Sequence, residues 1–262
     1  MLSTLETHRV GEVPVRVRRP RWRRPRGIVL WLPYLTGTAV DMDDALSRAA
    51  RAGFIGVSLD PRRHGARADA TRDDLHREVM GAFRRTMWPI LGGTAEDARD
   101  VITWATGRFG VSGPVYAGGL SMGGDIAVAL AGIDPRVQRV VSLGSTPDWT
   151  RPGMTVDGDP ARPIDQGEPD QAAQAYYDAV DPITHPAAFD RQVEIRFHVG
   201  ERDTHVPAEA AQRFAALLAG SRAHVEVRPV VGFDHASVVG DRRIRRDAIA
   251  WLVRGGSRAS RS

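Results

Sequence analysis

Cysteine is missing from the 262-residue sequence, and so is lysine. Without cysteine there is no disulfide framework, no thiolate metal site and no cysteine nucleophile, and the redox compartment stays open with the cytoplasm as the default expectation. Without lysine, all 36 basic residues are arginine, set against 32 acidic residues for a formal charge of +4 and a pI near 10.2. Such a balance raises the question of nucleic acid or an acidic membrane. The arginines are spread along the chain, however, and the bias reads as genomic base composition rather than selection for phosphate contacts. The one dense cluster, Arg16, Arg18, Arg19, Arg21, Arg23, Arg24 and Arg26, brackets Pro20 and Pro25 and fits a solvated hairpin face. No nucleic-acid partner is expected.

Long apolar runs are absent too. Nothing approaches the roughly 20 apolar residues of a membrane span, so the expectation is a soluble protein with no membrane partner. The arginine cluster precedes an apolar stretch at 28–35, the arrangement of a twin-arginine export signal. That stretch is short, Pro33 interrupts it, no small-residue cleavage site follows, and removing it would delete a strand.

With 42% hydrophobic residues the chain can bury a full core, and one domain over 1–254 is expected, followed by a disordered tail at 255–262. Short β-branched runs alternate with amphipathic helical segments, the pattern of an α/β fold whose largely parallel sheet is covered on both faces. The exception is residues 5–19, where Val13, Val15 and Val17 alternate as in an antiparallel edge hairpin. Strands follow at 28–32 and 54–59, with a helix at 41–51 between them. Leu75, Val79, Phe83 and Met87 predict a helix over 73–91, and Thr94 with Asp97 reads as a capping box starting a second one to about 109. A strand at 113–117, a helix at 122–131 and a strand at 137–143 come next. About fifty residues rich in Pro, Gly and Asp then form too long a connection for a simple loop. Residues 147–192 are expected to be a small cap insertion carrying one helix near 171–180. A strand at 193–199, a helix at 208–219, a strand at 225–230 and a helix at 243–253 complete the domain. No internal repeat is present.

Gly119-Leu120-Ser121-Met122-Gly123 places a serine between two glycines, directly after a predicted strand and before a predicted helix, the setting of a nucleophile elbow. The flanking glycines leave room for a strained serine backbone, and the following helix N-terminus favours developing negative charge. A serine hydroxyl needs a base within hydrogen-bond reach, oriented in turn by a carboxylate. In this order of elements the acid precedes the histidine. Asp203, in Gly200-Glu201-Arg202-Asp203-Thr204-His205-Val206-Pro207, and His235, in Gly232-Phe233-Asp234-His235-Ala236, both follow strands, at the carboxyl ends where ligand crevices form. His8, His76, His185 and His224 read as surface residues and His198 as packing. His205 lies on the acid's own loop, and Asp234 is the rival acid.

These segments resemble the α/β-hydrolase superfamily, in particular its small bacterial esterase and dienelactone-hydrolase-like branch. The resemblance spans residues 10–254 and includes Asp60-Pro61-Arg62-Arg63-His64-Gly65, similar to the D-x-R-x-H-G turn after the family's fourth strand, a structural rather than catalytic element. It implies an eight-stranded, mostly parallel sheet and acyl transfer from an ester-like small molecule to water, with Ser121, His235 and Asp203 as triad and no cofactor or metal. The chain departs from the family's His-Gly after the third strand, having Leu32-Pro33-Tyr34-Leu35-Thr36-Gly37 instead. An oxyanion hole needs only backbone donors. Pro33 has none, so Tyr34, then Leu35, is expected to complement Met122.

A serine nucleophile leaves an esterase, thioesterase, amidase or C–C hydrolase. Leu35, Trp88, Trp149, Met154, Tyr176 and Tyr177 are the expected pocket walls, since the cap and the segment after the fourth strand cover the nucleophile. The same residues would also serve an acyltransferase or cyclase, and a non-catalytic ligand-binding descendant would have no need of all three triad members. Oligomeric state is not indicated.

Overall fold

The computed structural model describes residues 3–21 and 24–254, so the expected tail at 255–262 lies outside the described residues. β1 (Ser3–Val10) and β2 (Val13–Pro20) form the expected hairpin. Val13, Val15 and Val17 enter the core while Pro14 and Arg16 between them, and Arg18 beyond, face away. Arg16 grips Asp43 with two hydrogen bonds of 2.6 Å, Arg18 approaches the same carboxylate at 3.7 Å, and Arg19 meets Glu6 at 2.5 Å. Two carboxylates thus pair with three of the seven arginines.

β3 (Ile28–Leu32), α1 (Asp43–Arg51), β4 (Ile55–Leu59), α2 (Arg72–Gly81), α3 (Phe83–Phe109), β5 (Val115–Leu120), α4 (Met122–Ile133) and β6 (Val137–Leu143) follow. The 147–192 segment carries a two-stranded ribbon of β7 (Thr155–Val156) and β8 (Asp159–Pro163), then α5 (Gln171–Val180). β9 (Glu194–Gly200), α6 (Glu209–Leu217), β10 (His224–Val230), α7 (His235–Gly240) and α8 (Arg242–Arg254) close the fold. The eight-stranded sheet runs β1-β2-β4-β3-β5-β6-β9-β10, antiparallel where β1 meets β2 and β2 meets β4, and parallel from β4 onward.

Two-residue periodicity builds two cores. In β3, Ile28, Leu30 and Leu32 pack on one face with α3 and α4, while Val29 and Trp31 pack on the other with α1 and α8. The chain goes from β3 to β4 on one side and returns to β5 on the other, so a crevice opens at the carboxyl ends of β3 and β5. Ser121 follows directly.

Two helical expectations are corrected. The break does not fall at Gly92-Gly93 but at Ala82, and α3 runs unbroken for 27 residues through Pro89. The glycines admit neighbours rather than ending the helix: a methyl group at Gly92 would strike the Tyr176 ring, and one at Gly93 the Arg62 guanidinium. Nor do Thr94 and Asp97 cap a helix. Thr94 Oγ1 accepts the Arg62 backbone N–H at 3.1 Å, and Asp97 takes Arg62 Nε at 3.2 Å and Arg67 Nη1 at 2.7 Å, fastening the 60–67 turn to α3. Within that turn Asp60 accepts the N–H groups of Ala39 and Ala66, both at 2.9 Å, and His64 Nδ1 lies 2.7 Å from the Arg62 carbonyl, so both side chains are structurally engaged.

The 147–192 segment is closed by Asp181, fully buried, which accepts the Trp149 N–H at 2.9 Å and the Thr184 N–H at 3.3 Å. Burial, with Asp148 nearby, pushes its carboxyl up to about 7. Since this exceeds the ordinary carboxylate value, the stability contributed by protonated Asp181 is complete at low pH and is lost as pH rises through 7. In urea titrations between about pH 4 and 8, wild type should lose on the order of a few kcal/mol that Asp181→Asn retains. Parallel curves for the two proteins would rule this out.

Candidate active site

Ser121 sits between β5 and α4 with φ +49° and ψ −121°, a conformation L-residues avoid. The surrounding backbone imposes it: Ser121 N–H donates to Leu143 O at 2.8 Å, and its carbonyl accepts from the N–H groups of Gly124 at 2.7 Å and Asp125 at 3.1 Å. The flanking glycines are explained by crowding. A methyl group at Gly119 would collide with Gly123, and one at Gly123 with the carbonyls of Leu32 and Pro33. The end of β3 is thereby pressed against the start of α4. Met122, as the first residue of α4, has an N–H with no intrahelical partner. Tyr34 and Leu35, on the adjoining loop, line the same cavity as Ser121.

Ser121 Oγ lies 3.0 Å from His235 Nε2, and His235 Nδ1 lies 2.9 Å from Asp203 Oδ2. The other Asp203 oxygen accepts backbone N–H groups from His205 at 3.0 Å and Val206 at 2.7 Å, which fixes the carboxylate before any ligand arrives. The loops carrying Asp203 and His235 are joined directly, Arg202 N–H donating to Phe233 O at 2.9 Å and Glu201 N–H to Val230 O at 3.1 Å. Gly200 permits this approach, since a Cβ there would come within 2.6 Å of the Phe233 carbonyl. Asp234 is occupied elsewhere, capping α7 through the Ser237 N–H at 2.9 Å.

A cavity of about 840 Å³ opens over Ser121 and His235. Its apolar wall comes from the junction of α2 and α3, through Met80, Phe83 and Met87, and from Ile164 beyond the ribbon. Of the six side chains expected to wall the pocket, Leu35 does so. The structure places the other five elsewhere: Trp88, Trp149, Met154, Tyr176 and Tyr177 pack between α3 and the 147–192 segment. Trp88 stacks on Tyr177 at 4.5 Å and donates to the Trp149 carbonyl at 3.0 Å. Tyr176 takes a 2.6 Å hydrogen bond from Arg62, while Trp149 and Met154 are buried in the core. Aromatic residues are the surest packing material, so residue type misleads here. His76, expected on the surface, is exposed at the cavity rim.

Sequence reasoning passed over Asp125 and Arg151. Asp125 is fully buried, accepts the Thr146 N–H at 2.7 Å and is paired with the Arg151 guanidinium. Arg151, itself 3% exposed and at φ +41°, lies 4.9 Å over the Phe83 ring and reaches the cavity wall. Burial pushes the Asp125 carboxyl up and the Arg151 charge opposes that shift. A signal was available: Asp125 is the single charged residue in a helix apolar on every side. Asp125→Ala would leave a guanidinium buried without its partner and should cost about 3–5 kcal/mol in urea unfolding. A loss under about 1 kcal/mol would mean that the pair counts no more than a surface one.

Among solved structures the chain is similar to TT1662 from Thermus thermophilus, at 22% identity and a TM-score of 0.70, covering 96% of this chain and 97% of that one. A dienelactone hydrolase from Anabaena variabilis matches at 15% identity and a TM-score of 0.61, covering 97% of each chain. An acylaminoacyl peptidase from Pyrococcus horikoshii matches at 13% identity and a TM-score of 0.68, covering 97% of this chain but 41% of the peptidase. No family model matches the sequence, and no curated protein does. What these structures share with the chain is its fold.

Proposed function

We propose that this chain, which has the α/β-hydrolase fold, is a serine hydrolase that cleaves a small-molecule carboxylic ester or thioester through an acyl-enzyme intermediate. The observation that carries the reading is the continuous hydrogen-bonded line from Ser121 Oγ through His235 to Asp203, at 3.0 and 2.9 Å, opening into a cavity. His235 takes the Ser121 proton as Oγ attacks the carbonyl, and it returns that proton to the leaving oxygen. Asp203 holds the tautomer with the proton on Nδ1. Water then enters on the same side, loses a proton to His235, and releases the acid.

The oxyanion would be held by backbone N–H groups of Met122 and Tyr34, each contributing about 3 kcal/mol to the transition state. The strained Ser121 backbone supports this reading, since it aims Oγ out of the elbow beside the helix N-terminus. Met80, Phe83, Met87 and Ile164 offer an apolar surface for an acyl chain. A cavity of about 840 Å³ accommodates a substrate larger than an acetyl ester. None of these steps calls for a cofactor.

Fluorophosphonate labelling and hydrolysis of p-nitrophenyl esters from acetate to octanoate test the proposal. Wild type should be labelled and turn over the esters, and Ser121→Ala and His235→Ala should lose roughly 10⁴-fold or more in kcat. If folded wild-type protein resists the probe, the serine-hydrolase reading fails.

A further inference from the structure

His205 is a polar group on the cavity wall for which the hydrolytic line has no use. Its ring stands edge-on to His235, with centroids 4.9 Å apart and planes at 62°. His205 Nδ1 lies 2.9 Å from the Thr155 carbonyl at the root of the ribbon. A carbonyl oxygen only accepts, so Nδ1 carries the proton and a neutral ring has its lone pair on Nε2. Burial, then the charges of Arg151 and His235, hold the ring's pKa down at about 4, so it stays an acceptor over the ordinary pH range. Among the described residues Nε2 has no protein partner, and it is not sealed into the core.

A second acceptor lies nearby. Asp157, at the turn of the ribbon, lines the cavity, and its carboxyl is pushed up by burial while feeling the charges of His235 and Asp203. The His235 side of the cavity therefore offers lone pairs. The charged residues on the cavity wall are of both signs, Arg77, Arg151 and Arg162 with Asp157 and Asp165, so the wall does not single out an ion of either sign. A neutral hydroxyl answers the free lone pair on His205 Nε2 directly.

Resting on the serine-hydrolase reading above, we propose that the substrate is a monoester of a diol or polyol, whose free hydroxyl donates to Nε2 of His205. Because His235 hands its proton to the leaving oxygen, the alcohol half must depart along the His235 side, past His205. The reaction is ordinary hydrolysis: the ester C–O bond breaks, water supplies OH to the acyl carbon and H to the alcohol oxygen, and a diol and an acid are released. His205 selects the substrate and transfers no proton.

The test compares 2-hydroxyethyl butyrate with propyl butyrate, which differ by a hydroxyl in place of a methyl, in a pH-stat assay of the full chain. Wild type should favour the hydroxyethyl ester by about tenfold in kcat/KM. His205→Asn keeps an N–H near the Nδ1 position but no acceptor at Nε2, and should bring the ratio near one. His205→Gln, whose amide oxygen reaches the Nε2 position, should restore most of it. The ratio is independent of any general loss of activity in a variant. Equal rates in wild type, or a ratio unchanged in His205→Asn, overturn the proposal while fluorophosphonate labelling leaves the serine-hydrolase reading standing. Absence of both labelling and turnover overturns the two together.

Discussion

A carboxylate with no access to water, Asp125, sits four residues beyond Ser121, and the 147–192 side of the molecule is organised around it. Asp125 belongs to the helix that Ser121 opens, and its backbone N–H already bonds the Ser121 carbonyl. Its side chain reaches out of that helix to the Thr146 N–H and the Arg151 guanidinium, which are the first turns of chain after β6. Burying both charges is costly, and their attraction in a medium that screens poorly offsets much of that cost, while Arg151 Nε has no hydrogen-bond partner among the described residues. The root of the 147–192 segment is thereby pinned to the helix that Ser121 opens. Arg151 also contributes cavity wall, so one ion pair sets where the pocket begins.

The remaining site geometry comes from close backbone approach. Three loops at the carboxyl ends of β5, β9 and β10 supply Ser121, Asp203 and His235, and glycine appears where two of them touch. Gly119 lets the end of β5 lie against the start of α4, Gly123 lets α4 meet the end of β3, and Gly200 lets the Asp203 and His235 loops share hydrogen bonds. Packed interiors are not continuously deformable, so side chains mounted on such contacts have little freedom to drift. This rigidity suits an arrangement whose members must stay within hydrogen-bond distance before a ligand is present.

The legible parts of the molecule were those set by local chemistry. A strand, a serine between glycines and a helix announce themselves within a dozen residues, and Asp203 and His235 follow strands whose β-branched runs are plain. The hairpin at the amino-terminal edge was readable because one of its faces is buried and the other is not. What stayed hidden depends on partners distant in sequence. Gly92 and Gly93 look like a helix break until Tyr176 and Arg62, from other elements, are seen lying against them. Thr94 and Asp97 have the spacing of a cap, yet they serve a turn about thirty residues earlier. The ribbon at 155–163 escaped notice because its strands are short and one holds two prolines. The aromatic residues assigned to the pocket were hardest of all, since their type fits core and cavity wall equally.

The absence of lysine reaches beyond composition once the ion pairs are in view. Among the described residues, every pair not made by histidine uses a guanidinium, from the buried Arg151–Asp125 contact to the exposed Arg246–Asp247 contact. An ammonium begins to lose its proton near pH 10, whereas a guanidinium keeps its charge past about 12. The attractions that tie the β2 hairpin to α1 and the 60–67 turn to α3 therefore persist through alkaline solutions that would dismantle a lysine-based set. They also offer no side-chain amine to acylating reagents, so an activated ester meeting this surface finds hydroxyls and imidazoles, and no lysine, to attack it.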